Sequence, residues 1–125
     1  MGRTVIAAVD DMLFASKVRA VAEHLDIDIR FARNSDSVLS NALQLEPALI
    51  VVDLQSQKID AIELAKALKA NERLRGIPLL GFFSHVLVEL QRTASEAGFD
   101  RVLPRSVFSR DLAGILAGDS SLNQK

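Results

Sequence analysis

The stretch ALIVVD, Ala48 to Asp53, decides the fold. It follows Pro47, is apolar and rich in β-branched residues, and closes on an acid. A run this short and this apolar reads as a strand buried on both faces, at the centre of a parallel sheet. Working outward, TVIAAV at Thr4–Val9 has the same character and closes on Asp10 and Asp11. Downstream, Gly76 and Pro78 punctuate the chain before LLGFF, Leu79–Phe83, a fourth strand. Ile27, Ile29 and Phe31 alternate with Asp28 and Arg30, which predicts a half-buried second strand nearer an edge. Arg101–Leu103 is a short fifth strand.

Helical spacing fills the intervals. Phe14, Val18, Val21 and Leu25 lie on one face of a first helix. A second helix, capped by Ser35 or Asp36 and ended by Pro47, turns Val38, Ala42 and Leu45 inward. A third uses Ala61, Leu64, Ala65 and Leu68. A fourth uses Leu87, Leu90, Ala94 and Ala97, with Gly98 as its C-terminal cap. Phe108, Leu112 and Ile115 make a fifth. Five β–α units predict an α/β fold: a (βα)5 doubly wound, five-stranded parallel sheet in the flavodoxin-like order 2-1-3-4-5. One domain is expected over residues 1–119, with a polar tail over 120–125 that frays.

Composition narrows the function. The chain has 125 residues, 49% of them hydrophobic and 25% charged, within the range of one ordinary globular domain. There is no Cys, so disulfides, thiolate metal sites and Cys nucleophiles are excluded. Fifteen Lys and Arg against sixteen Asp and Glu give a formal charge of −1, which argues against nucleic acid as a partner. The apolar runs are far short of the ~18–20 residues that span a bilayer, and no secretory signal is visible. Gly2 stands where a myristate would attach, but Ile6 replaces the Ser or Thr that the modification needs. No membrane partner is expected, and the expected compartment is the cytoplasm. The net charge hides a split: residues 1–63 carry ten acids and six bases, residues 64–125 six acids and nine bases.

A doubly wound sheet places its chemistry at the carboxyl ends of its strands. Strand one ends in Asp10 and Asp11 and strand three in Asp53, and these two strands are neighbours, so three carboxylates should converge. Such a cluster needs a cation or a proton to offset it, and hard oxygen ligands suit Mg²⁺. The plainer reading is that these acids cap the helices that follow. Strand four ends in Phe83, Ser84 and His85, and strand five in Pro104 and Arg105. The planar fork of Arg105 suits either a phosphoryl group or a salt bridge that neutralises the acids.

The chain resembles the receiver domain of two-component response regulators over about residues 4–117. The resemblance rests on VDD at 9–11, VVDL at 51–54, IP at 77–78 and AGFDRVLPR at 97–105, in this order and register. Phe83 follows Asp53 by 30 residues, and Arg105 follows Phe83 by 22, the family's spacing from phosphoacceptor Asp to switch Thr or Ser to Lys. The resemblance implies that Asp53 accepts phosphate from a histidine kinase or phosphotransfer protein. It implies that Asp10, Asp11, Asp53 and the backbone carbonyl of Gln55 hold Mg²⁺, and that Arg105 stands in for the Lys. Mg²⁺ and a cation would screen the phosphoryl oxygens while a weak carboxylate nucleophile attacks.

The departures matter as much. Arg105 for Lys keeps the charge but not the shape. Phe83 lacks the switch hydroxyl, and Ser84, one residue on, belongs to the opposite face of a regular strand. Val102 stands where the family has a mobile aromatic, Gln57 where it often has Pro, Ala61 where it often has Gly, and Ser106 where Pro is common. The resemblance therefore implies a single-domain, cytoplasmic, bacterial-type phosphorelay receiver, with a pseudo-receiver interaction module as the alternative. It is not an enzyme beyond autophosphorylation and autodephosphorylation of the aspartate. With no output domain following, its output is expected to be contact with a downstream protein through the face of helix four, strand five and helix five. Arg92, Arg101, Arg105 and Arg110 on that face suit an acidic partner, and a homodimer through helices four and five has no direct signature.

Other classes fit less well. An Asp-nucleophile phosphatase wants two Asp one residue apart, whereas Asp10 and Asp11 are adjacent. Dinucleotide folds want a Gly-rich turn after strand one, and DDMLFAS has none. An FMN site wants a Ser/Thr-rich loop there, and only Ser16 is near. A Ser84–His85 hydrolase lacks a nucleophile elbow.

Overall fold

The computed structural model describes residues 3–84 and 87–118, so His85 and the predicted tail over 120–125 lie outside the described residues. Five strands form one sheet in the order β2-β1-β3-β4-β5, every pair parallel. They are β1 (Thr4–Ala8), β2 (Asp28–Phe31), β3 (Leu49–Asp53), β4 (Leu79–Phe83) and β5 (Arg101–Pro104). The helices are α1 (Met12–His24), α2 (Ser35–Leu45), α3 (Ala61–Ala70), α4 (Val88–Ala97), α5 (Arg105–Arg110) and α6 (Leu112–Ala117).

Alternation along the strands divides the core into two layers. Ile50, Val52, Leu79 and Phe83 face one layer, with Val38 and Ala42 of α2, Leu64, Ala65 and Leu68 of α3, and Ala94 of α4. Val51, Leu80 and Phe82 face the other, with Phe14 and Val18 of α1, Phe108 of α5 and Leu112 and Leu116 of α6. Phe82 and Phe108 stack with ring centroids 5.0 Å apart, and Phe14 meets Phe82 edge-on at 5.4 Å. Such aromatic contacts contribute about 0.5–1.5 kcal/mol each beyond the area they bury.

Two local expectations are corrected. The fifth helix is two helices: Asp111 breaks it with φ −101° and ψ 17°, although the Phe108, Leu112 and Ile115 spacing continues through the break. The cap of α2 is Asn34, whose side chain accepts from the Ser37 N–H at 2.8 Å; Ser35 is already helical and Asp36 lies in the first turn. Glu46, before Pro47, ends α2 in the left-handed conformation at φ 49°, which strains a residue bearing a Cβ. Gly98 caps α4 as expected, at φ 127°. No helix among the described residues is long and apolar enough to cross a membrane.

Candidate functional site

The carboxyl ends of β1 and β3 open into a cleft of about 570 Å³ lined by Asp10, Asp11, Asp53, Gln55, Gln57 and Lys58. The register brings the acids there: Ala8 of β1 pairs with Val52 of β3, Asp53 closes β3, and Asp10 and Asp11 follow β1 after Val9. All three predicted carboxylates thus share one concavity. A second concavity of about 410 Å³, at the opposite edge, is lined mainly by apolar residues such as Leu49, Pro78 and Ile115.

Each acid is held by different donors. Asp10 accepts from Ser56 Oγ at 3.0 and 2.9 Å and from the Gln57 N–H at 3.0 Å. Ser56 Oγ also accepts the Lys58 and Ile59 N–H groups, both at 3.1 Å, so one hydroxyl organises the loop after β3 and ties it to Asp10. Ser56 had no place in the sequence reading, because the resemblance assigns it no role. Asp11 caps α1, accepting from the Leu13 and Phe14 N–H groups at 2.9 and 3.2 Å. Its other oxygen pairs with Arg105 Nη2 at 2.8 Å. That guanidinium lies 4.1 Å from the ring centroid of Phe14, so Arg105 is held by charge on one side and a π face on the other. The Arg105 hydrogen bond, with those of α1, keeps the Asp11 carboxyl below its ordinary range.

Asp53 behaves oppositely. Burial raises its pKa, and the nearby Asp10 and Asp11 charges add to the rise; the Gln55 N–H, 2.9 Å from Oδ1, and the Arg105 charge oppose it. The Gln55 side chain also contributes, a role beyond the backbone carbonyl that the resemblance singles out. Its Oε1 accepts the Ser84 N–H at 2.7 Å and bridges the loops after β3 and β4.

Phe83 and Ser84 part company. Phe83 is 4% exposed and packs in the α2–α4 layer, the layer that Val102 also borders. Ser84 is exposed just beyond the strand and is not among the described residues lining the cleft. The register pairs Asp53 with Phe82, so the face of β4 opposite Phe83 is the face of Asp53.

The basic surface expected around α4, β5 and α5 is largely consumed within the chain. Arg92 pairs with Glu89, Arg110 with Asp111 at 3.1 Å, and Arg105 with Asp11. Among the described residues, large apolar side chains are exposed as well: Met12 (80%) and Leu13 (84%) open α1, while Leu87 (51%) and Val88 (70%) open α4. Both helices start at the carboxyl edge of the sheet. Leu87 is a correction: its spacing put it on the inner face of the fourth helix, but it is the residue before α4 and stands exposed; Met12, Leu13 and Val88 had no place in the helix-face reading.

Oxygen ligands of this kind suit Mg²⁺ by chemistry, but their arrangement does not fit the ion. Asp10 is engaged by Ser56 and Gln57, and Asp11 by its cap and Arg105. Among the described residues no three acidic or His side chains gather closely enough to hold a metal.

No protein-family model and no curated protein matches the chain. Solved structures do. The chemotaxis response regulator CheY4 of Vibrio cholerae matches with a TM-score of 0.80 at 16% identity, over 93% of this chain and 97% of that one. The Mn²⁺-bound form of response regulator Rcp1 matches with a TM-score of 0.75 at 21% identity, over 95% and 92%. The phosphorylated cyanobacterial phytochrome response regulator RcpA matches with a TM-score of 0.79 at 14% identity, over 98% and 94%. The chain therefore has the receiver fold, in strand order 2-1-3-4-5.

Proposed function

We propose that this chain is a receiver-type module of two-component signalling whose output is a protein contact independent of Asp53 phosphorylation. The observation that carries this reading is Phe83. Where the receiver pattern has a hydroxyl to bond a phosphoryl oxygen, this chain has a ring that is 4% exposed and locked in the α2–α4 core. Where that pattern has a mobile aromatic on the fifth strand, it has Val102, half-buried against the same layer. The aromatic sits on the neighbouring strand and has no open position to swing from.

The surface supports a contact role. Met12 and Leu13 stand beside the acid cleft and Leu87 and Val88 at the start of α4, giving the carboxyl edge an apolar rim that a partner protein can cover. Asp10, Asp11 and Asp53 then serve the fold. Asp10 fixes the loop after β3, Asp11 caps α1 and anchors Arg105, and Asp53 holds the turn at Gln55.

One observation favours the second reading, phosphorylation of Asp53 with Mg²⁺ by a histidine kinase or phosphotransfer protein. The three carboxylates line one accessible cleft, and Ser84 follows β4 on the alternation that carries Phe82, the register partner of Asp53. A hydroxyl from Ser84 would then do the work that Phe83 cannot.

Incubation with acetyl phosphate and Mg²⁺, read by intact mass, tests the choice. The proposal expects no gain of a phosphoryl group. An acyl phosphate on Asp53, lost in Asp53→Asn and shortened in lifetime by Ser84→Ala, would establish the second reading.

A further inference from the structure

The acid cluster already has its cation. We infer that the Arg105 guanidinium occupies the charge-balancing place that the receiver pattern gives to a divalent ion, so that this protein excludes Mg²⁺ from the cleft through an arginine of its own. This concerns the metal alone: its failure leaves the protein-contact reading standing, while its success removes the Mg²⁺-dependent second reading.

Three observations converge. The first is the pair itself: Arg105 Nη2 lies 2.8 Å from Asp11 Oδ2, at one of the acids that the resemblance assigns to Mg²⁺. The second is that Arg105 is fixed from a second direction. Its Cζ is 4.1 Å from the Phe14 ring centroid, and Phe14 is itself held by Phe82 and Phe108 at 5.4 and 5.8 Å. A guanidinium can lie flat on such a ring and still direct an N–H at a carboxylate, whereas a lysine ammonium lacks the planar fork. The third is that the remaining carboxylates already accept hydrogen bonds from the chain. Both Asp10 oxygens accept from Ser56 Oγ, one of them also from the Gln57 N–H, and Asp53 Oδ1 accepts the Gln55 N–H. An incoming ion would have to displace Arg105 from Asp11 and from Phe14 together, and would then sit beside the displaced positive charge.

The charge effect sets the scale. A dication about 4 Å from a guanidinium is opposed, even at the dielectric of water, by an energy worth about thirtyfold in affinity.

The experiment titrates Mn²⁺ and Mg²⁺ into the full chain, following paramagnetic broadening of backbone amides for Mn²⁺ and melting temperature for Mg²⁺. Wild type should show no saturable broadening at the cleft and no rise in melting temperature. Arg105→Ala should gain a site at Asp10, Asp11 and Asp53, with affinity raised about thirtyfold or more and a Mg²⁺-dependent rise in melting temperature. Adding Asp11→Asn to that variant should remove the gain. Arg105→Gln, which keeps side-chain length without charge, serves if the alanine variant does not fold. Equal affinity in wild type and charge-removed variants, whether tight or undetectable, overturns the inference, as does a wild-type site that Arg105→Gln leaves unchanged.

Discussion

Phe83→Thr places a hydroxyl where a phosphoryl-sensing receiver would carry one, and its cost can be worked from the packing. Phe83 is 4% exposed and lies in the layer formed with Val52, Leu64, Leu68 and Ala94. Truncating a buried Phe to Ala costs about 3–5 kcal/mol; Thr refills part of the space, which brings the loss to about 2–3. The new hydroxyl faces apolar neighbours, and an unpaired buried hydroxyl adds about 1 kcal/mol or more. The sum is about 3–4 kcal/mol, which for a domain of this size lowers the melting temperature by roughly 12–16 °C. Urea denaturation followed by circular dichroism measures it, with the midpoint falling and the slope unchanged. A loss below about 1 kcal/mol would show that the ring is not a core element, and the case against a switch at this position would fall with it.

Other substitutions follow from the same geometry. Asp53→Asn should stabilise the protein at neutral pH, because burial makes its ionised carboxyl costly. The raised pKa means that this penalty is absent below the ordinary carboxylate pKa and grows as pH climbs through the folded one, so melts of variant and wild type should converge on acidification. Asp11→Asn should do the reverse. The lowered pKa means that Asp11 contributes stability above the ordinary value and loses it as pH falls through the folded one, so the variant should be less stable at neutral pH and match wild type in strong acid. Glu46→Gly should raise stability by about 1 kcal/mol, seen as a higher urea midpoint, because it relieves the left-handed conformation at φ 49°. Ser56→Ala should free Asp10 and loosen the loop after β3, measured as faster amide exchange at Gln57, Lys58 and Ile59.

The sheet was legible because β1 and β3 are short apolar runs stopped by acids, β4 is one entered through Pro78, and β2 alternates; the parallel order follows from five strands alternating with amphipathic helices. Ala61, Leu64, Ala65 and Leu68 are all buried as their spacing requires. The break at Asp111 was not legible, since Phe108, Leu112 and Ile115 keep helical spacing across it. Choosing Asn34 over Ser35 as a cap depends on backbone angles, because all these residues cap well by type. At the site, the residues were legible, and so in outline were an acid capping the next helix and a salt bridge from Arg105 to the acids; the individual partners were not. Asp10, Asp11, Asp53 and Arg105 were picked out by position at strand ends. That Arg105 would bond Asp11 and rest on Phe14 depends on how α1 and α5 pack, which no spacing encodes. The same holds for Gln55, whose amide reaches Ser84 only because the loops after β3 and β4 sit side by side.

The central claim is that the α4–β5–α5 surface does not respond to the chemical state of Asp53. Backbone amide NMR spectra with and without Mg²⁺ and beryllofluoride test it most directly. The account predicts that signals from Val88–Ala97 and from residues 101–110 stay in place as Mg²⁺ and beryllofluoride are raised to large excess. Saturable shifts across those residues, abolished by Asp53→Asn, would contradict it and identify a working phosphoryl switch.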